Sequence, residues 1–469
     1  MLIKSFFTNS IGTLVSRIFG FIRDTLTASV LGANIYSDIF FVAFKLPNLF
    51  RRIFAEGAFT QSFIPSFIKT VHKSLFTFII FKRFLIFLIV FSLLVTIFSD
   101  FFAKMIAFGF NEETIALAAP FVAINFYYLP LIFIVTLLGS LLQYKHHFAT
   151  TAFSTTLLNL GMIGALLLFQ DCDKKTIVYA LSYGVLVGGL LQVLAHFIAI
   201  RRHDLIKLFI VGYRYSKTKS QNIKASTKGF NKAFFQSIIG NSTPQIVSFV
   251  DTTLASFLVS GSISYLYYGN RIFQLPLALF AIALTTGIFP KITRLLKRED
   301  AEQASKLLYK SFWLLAFLLS ISTVGGYILS EEIVKLLFER GSFTIEDTQT
   351  TAFVLAMYMI GLLPFGLAKL FSLWLYAMMR QGQAAKIAMY ALGANLIFSL
   401  ALIQPLGASG LALAGSLAGW VLLFFTITSF GSKKFFDILM DKKLIILAIV
   451  LLVEVVSLIW FKEIIHVYL

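Results

Sequence analysis

Residues 444–460 read LIILAIVLLVEVVSLIW and residues 314–329 read LLAFLLSISTVGGYIL. Runs this long and this apolar outlast a strand and offer no polar face to water, so they read as helices that lie in lipid. The rest of the chain agrees: 58% of its 469 residues are hydrophobic and 13% are charged, whereas soluble domains carry roughly a quarter charged residues. A transmembrane barrel would need short alternating strands, which these runs are not. The single cysteine, Cys172, allows no internal disulfide. The first segment holds Arg17, Arg23 and Asp24 and no small-residue cleavage site, so it reads as a retained helix.

With about 20 residues per crossing, spans are expected near 4–31, 34–66, 84–108, 114–143, 147–169, 176–200, 232–260, 262–290, 307–329, 347–379, 383–405, 408–430 and 443–461. The net charge of +18 is sorted among the connections. Loops after even-numbered spans hold Lys69, Lys73, Lys82, Arg83 and Lys145, the basic stretch 201–232, then Lys291 to Lys310, Arg380, Lys386 and Lys433 to Lys443. Loops after odd-numbered spans are poor in cations and hold Glu112, Glu113, Glu331, Glu332, Glu346 and Asp347. By the positive-inside rule the even loops and the N-terminus are cytoplasmic. Cations placed this way specify topology and exclude nucleic acid as the partner.

The chain also repeats itself at an offset of about 225 to 234 residues. RDTLTAS at 23–29 aligns with VDTTLAS at 250–256, and KLP at 45–47 with QLP at 274–276. ETIALAAPFVAINFYYLP at 113–130 aligns with DTQTTAFVLAMYMIGLLP at 347–364. Six spans separate equivalent positions, so both copies enter the membrane from the same side, as in transporters with parallel repeats. The expected architecture is an all-α polytopic membrane protein of about thirteen transmembrane helices, two six-helix bundles in a parallel pseudo-repeat plus one C-terminal helix. The divisions are a bundle at 1–200, a basic cytoplasmic linker at 201–231, a second bundle at 232–430 and the additional helix in 431–469.

Several charges fall inside spans, where each costs a few kcal/mol and normally faces a cavity or a partner. They are Arg17, Arg23 and Asp24 in the first, Asp38, Lys45, Arg51, Arg52 and Glu56 in the second, Asp251 in the seventh, Arg271 in the eighth and Lys369 in the tenth. Lys45, Arg52 and Glu56 also admit a plainer reading, as an interhelical ion pair or interfacial anchors. The excess of arginine over acid at depth is the informative feature, because guanidinium forks match phosphate oxygens bidentately. It calls for a phosphate-bearing, lipidic substrate.

The segment NSIGTLVSRIFGFIRDTLTASVLGANIYSDIFFVAFKLPNLFRRIFAEGAFTQSFIP closely resembles the N-terminal signature of the MurJ (MviN) lipid II flippases, in the MOP transporter superfamily. FERGSFTIEDTQTTAFVLAMYMIGLLPFGLAKLFSLWLYA is similar to a second signature of that family, and the resemblance spans roughly residues 1–430. It implies alternating access between two bundles, moving the undecaprenyl-diphosphate-linked peptidoglycan precursor, lipid II, from the cytoplasmic to the periplasmic leaflet of the bacterial inner membrane. It implies Arg17, Arg23, Asp24, Arg51 and Arg271 as substrate-binding residues, with Arg17, Arg23 and Arg271 on the diphosphate and Asp24 holding or releasing Arg23. Asp38, Arg52 and Glu56 would serve the cavity or its gating. Relatives that bind sodium use a seventh-helix aspartate, matched by Asp251; Lys369, where further ligands are expected, disfavours a cation, so membrane potential is the expected drive. No other cofactor is expected, and the partners are lipid II and membrane lipids around a monomer.

Two departures stand out. Asn270 precedes Arg271 where many members carry an acid, and one further helix follows residue 430 where members commonly have two. A multidrug or polysaccharide-precursor exporter of the same superfamily is the alternative. An enzyme of lipid-linked sugars is disfavoured, since His146 and His147 lie beside Lys145 with no acid motif nearby.

Overall fold

The computed structural model describes the backbone of residues 2–55, 58–217, 226–241 and 243–468, and the side chains of 11–52, 58–217, 226–238 and 245–464. Among the described residues every regular element is helical. The chain forms two compact units, Met1–Phe257 and Leu258–Leu469.

The first unit contains α1 (Leu2–Leu31), α2 (Ile35–Ala55), α3 (Ala58–Lys69), α4 (Lys73–Ile97), α5 (Ser99–Ile106) and α6 (Glu112–Phe126). It continues with α7 (Tyr128–Tyr144), α8 (Ala149–Phe169), α9 (Lys174–Arg202), α10 (Ile206–Lys217), α11 (Lys228–Asn241) and α12 (Thr243–Ala255). The second holds α13 (Ser262–Pro276), a π-helical turn at Leu277–Ile282, α14 (Ala283–Lys297), α15 (Ala301–Ile328) and α16 (Ser330–Phe338). It ends with α17 (Ile345–Met359), α18 (Leu362–Ala377), α19 (Gln381–Phe430), α20 (Ser432–Leu439) and α21 (Lys442–Tyr468).

The repeat is visible in these bounds. Glu112–Tyr144 and Ile345–Ala377 are both 33 residues long, and each bends near its middle, at Tyr127 in one and Ile360 in the other. Each follows a short helix, α5 or α16, that closes the preceding span. α19 is two spans: Gly407 turns the chain with φ 56° and ψ −131°, a conformation that favours glycine, at the expected 405/408 boundary.

Side-chain contacts inside each unit sort the connections into two ends. In the first unit, Lys73 Nζ donates to Tyr144 Oη at 3.3 Å and the His147 and His203 rings lie 4.7 Å apart, joining even loops to even loops. At the other end the Gly109 amide donates to Ser256 Oγ at 2.9 Å. In the second unit, Tyr309 Oη donates to Asp441 Oδ2 at 2.7 Å at one end, and Lys462 pairs with Glu332 at 3.2 Å at the other. Within each unit, the contacts therefore pair even loops with even loops and odd with odd.

Nine helical stretches among the described residues are long and apolar enough to cross a membrane, α19 being one of them. The three expected spans that fall outside this set are α1, α2 with α3, and α11 with α12. The first two of these carry Arg17, Arg23, Asp24, Asp38, Lys45, Arg51 and Arg52.

Three expectations change. The third span starts at Lys73 and ends at Ile97, not at 84 and 108, so Lys82 and Arg83 are helical; Arg83 Nη1 donates to Thr227 Oγ1 at 3.1 Å. The stretch 201–231 is not simply a solvated linker. Within it α10 packs on α4, with Phe209 against Phe81 at 5.3 Å and Tyr213 against Phe78 at 5.7 Å. Finally, α11 and α12 lie in the first unit, because Phe230 and Phe234 enter an aromatic cluster with Phe59, Phe63, Phe84 and Phe133. Phe59 and Phe230 lie 5.5 Å apart and Phe84 and Phe234 5.5 Å apart, contacts of about 0.5–1.5 kcal/mol each.

Helices α8 and α9 meet through glycines, as lipid-embedded helices do when backbones must approach closely. A Cβ added at Gly188 would lie 2.8 Å from Leu158 Cα and 2.9 Å from Leu158 O, backbone atoms that cannot rotate away. Gly188→Val is expected to destabilise by about 1–3 kcal/mol, read as a lower thermal midpoint of the solubilised protein. An unchanged midpoint would refute this packing.

Candidate functional site

The buried face of α1 carries Gly20, Arg23, Asp24, Thr27 and Ala28, recurring at helical spacing toward α8. Gly20 faces Asn159, whose Nδ2 would lie 3.4 Å from a Cβ placed there, an ordinary contact distance. Arg23 is 7% exposed and Asp24 2%. Arg23 Nη2 meets Asp24 Oδ1 at 2.5 Å and its Nε meets the same oxygen at 3.1 Å. Arg23 Nη1 reaches across to Asn159 Oδ1 at 3.1 Å and Met162 Sδ at 3.7 Å. The pair is thus a polar clasp between α1 and α8. Arg17, two turns before Asp24, is exposed, and among the described residues no hydrogen bond or ion pair engages its guanidinium.

Helix α2 begins with Asn34, whose Oδ1 accepts the Tyr36 amide at 2.9 Å. Asp38 is buried in the first turn, where a carboxylate faces the positive end of the helix dipole. Further along, Pro47 removes one backbone donor, and Lys45, Arg51 and Arg52 follow one another on half-buried positions. Arg51 Nε donates to Asn48 Oδ1 at 3.0 Å. Lys45 Nζ donates to Ser248 Oγ at 2.8 Å and Arg52 Nη1 to Gln245 Oε1 at 3.4 Å. These two bonds fix α12 antiparallel to α2. One turn beyond Ser248, the Oδ1 of Asp251 is buried with no hydrogen-bond partner among the described residues, and Lys45 is the cation whose charge acts on it. Glu56 lies outside the described residues.

In the second unit Arg271 sits on α13 with its guanidinium over the Tyr267 ring, 5.4 Å from the centroid. Asn270, which stands where an acid was expected, accepts a hydrogen bond from Gln274 Nε2. Lys369 is exposed on α18.

Sequence reasoning missed the neutral partners. Asn159, Gln245 and Ser248 answer the charges, and the available signal was a lone asparagine in the apolar run TTLLNLGMIG of α8.

The family profile described as "Lipid II flippase MurJ" matches residues 27–469. A probable lipid II flippase MurJ of Helicobacter pylori (strain ATCC 700392 / 26695) is 50% identical over 454 residues, 95% of this chain and 98% of its own length. The chain belongs to the MurJ lipid II flippase family. A more distant MurJ relative, from Buchnera aphidicola subsp. Baizongia pistaciae, is 32% identical over 93% of this chain and 84% of its own. A solved lipid II flippase MurJ in an inward closed conformation matches with TM-score 0.78 and 25% identity, over 97% of this chain and 99% of that one. An inward-facing multidrug resistance MATE family transporter of the MOP superfamily shares the fold, with TM-score 0.65 and 12% identity over 92% of this chain and 98% of its own. The MurJ assignment therefore extends through both units, and the MATE likeness is one of architecture.

Proposed function

We infer that this MurJ-family chain is a transporter that flips lipid II from the cytoplasmic to the periplasmic leaflet of the bacterial inner membrane by alternating access. The observation that carries this is the family match along residues 27–469, together with 50% identity to a flippase relative over nearly the whole of both chains. The exporter alternative rests on a fold likeness at 12% identity. Arg17, Arg51 and Arg271 bind the diphosphate through charge-assisted hydrogen bonds. Arg23 and Asp24 form a latch that the substrate or a change of state opens, while Asp38, Arg52 and Glu56 serve the cavity or its gating. The cation-rich loops face the cytoplasm, with the N-terminus. The protein works as a monomer surrounded by membrane lipids.

Membrane potential supplies the drive. A phosphate-bearing passenger leaving a negative interior gains about 2.3 kcal/mol per unit charge per 100 mV. Sodium at Asp251 is disfavoured because Lys45, bonded to Ser248 one turn away, already brings a positive charge to that carboxylate. The test is a flipping assay with labelled lipid II in vesicles, alongside rescue of a strain depleted of its own flippase. Growth rescue and a rate that rises with an interior-negative potential, unchanged when potassium replaces sodium, are the expected results. Absence of rescue despite membrane expression would sink the assignment, and a strict sodium requirement would move the coupling to Asp251.

A further inference from the structure

Helices α8 and α9 are pressed together at mid-span, where a Cβ on Gly161 would lie 2.6 Å from Gly184 O and 2.7 Å from Gly188 N. Nearer the loop end, Gln192 Nε2 still ties across to Ser154 O at 2.9 Å. Beyond that bond the helices part, and a cleft of about 480 Å³ opens between them. Its walls are apolar, from Phe153 and Leu157 on α8 and Ala195 and Ile198 on α9. Its mouth is polar, formed by the Arg202 guanidinium and the imidazoles of His147 and His203.

The two imidazoles lie 4.7 Å apart, and the His147 Nε2 is 2.8 Å from Thr150 Oγ1. Burial, and then the neighbouring His203, hold His147 below the ordinary imidazole range. Lys145 and Arg201, close in sequence to these residues, add positive charge to the rim. Asp204, the one acid in 145–147 and 201–207, is bonded to Lys207 at 3.1 Å. A cleft with greasy walls and a cationic mouth, at the end of two membrane spans, is complementary to an amphiphile with a negative head. A sugar or nucleotide would leave the walls without contact.

The repeat supplies an independent observation. The start of α8 and the end of α9 correspond to the start and end of α19, and there the second unit has its own cleft of about 520 Å³. Tyr390 and Phe425 form its wall, 5.2 Å apart, Lys386 supplies a cation, and Gln383 Nε2 donates to Ser429 Oγ at 2.7 Å. Different side chains thus place a cleft of similar volume, with an apolar wall and a cation, at the corresponding end of the second unit.

We propose that the cleft of the first unit binds an anionic phospholipid, with its phosphate held by His147, Arg202 and His203 and one acyl chain between Phe153 and Ile198. None of the residues assigned to the diphosphate of lipid II takes part. The exposed Leu190, Leu194 and Phe197 on α9 continue the apolar track along which the rest of the lipid lies.

The experiment uses the full chain carrying photoreactive benzoylphenylalanine in place of Phe153, reconstituted in vesicles of phosphatidylglycerol and phosphatidylcholine. Capture of phosphatidylglycerol is expected to exceed that of phosphatidylcholine about tenfold at equal abundance. The H147Q/H203Q pair, and separately R202Q at an exposed position, should bring the ratio toward one while phosphatidylcholine capture persists, which shows that the protein is still folded. The same probe at Leu168, exposed at the far end of α8, should show no preference. Equal capture of both lipids at position 153, a preference that survives the histidine and arginine changes, or the same preference at position 168 would each overturn the site. Excess inorganic phosphate should leave capture unchanged; loss of capture would reassign the mouth to a soluble anion and overturn the lipid proposal.

Discussion

Arg17→Ala and Arg271→Ala are each expected to lower the lipid II flipping rate by about 100-fold without reducing the amount of inserted protein. A guanidinium that grips a phosphate through two charge-assisted hydrogen bonds contributes on the order of 3 kcal/mol, and a factor of ten is about 1.4 kcal/mol. The Arg17 side chain offers no structural reason for a loss of that size. Arg17 is exposed and makes no ion pair among the described residues, so its truncation leaves no carboxylate stranded. Arg271 stands over Tyr267, a contact worth about 0.5–2 kcal/mol. Lysine at either position keeps the charge and loses the fork, and should recover only part of the rate. Reconstituted vesicles with labelled substrate give the measurement. Alanine variants that flip at the wild-type rate would remove these arginines from the diphosphate site.

The sequence was most legible where composition and physics coincide. Apolar runs and the sorting of cations gave the helical class and the parity of the connections, because lipid enforces both. It was least legible where helices carry charge. Residues Lys82 and Arg83 read as a loop, yet they lie inside α4, where Arg83 finds Thr227. The basic stretch after Arg201 read as solvated, but α10 carries Phe209 and Tyr213 on the face that meets α4. A boundary at residue 232 followed from the repeat alone, whereas the position of α11 is set by phenylalanines packing across long sequence separations. The charged residues themselves were found by their rarity in spans; the neutral partners that receive them, such as Asn159 and Ser248, are too ordinary to announce themselves.

Asp24→Asn tests the other half of the arginine set. The substitution keeps the shape of the side chain and removes the charge that faces a guanidinium with 7% exposure. Breaking a buried pair by neutralising one partner costs about 3–5 kcal/mol, because the remaining charge stays out of water. A large fall in the thermal midpoint of the solubilised protein is therefore expected. Replacing both partners by apolar residues of similar volume, as in R23M/D24L, removes the charge problem and should restore most of that midpoint. Transport then separates two roles for the clasp. If Arg23 and Asp24 only hold α1 to α8, the stable double variant flips lipid II as the parent does. If the pair is a latch whose opening frees Arg23 for the diphosphate, the double variant is stable and inactive, and that combination is the expected one. A double variant with parental stability and parental flipping would leave Arg23 as a structural residue and restrict the diphosphate contacts to Arg17, Arg51 and Arg271.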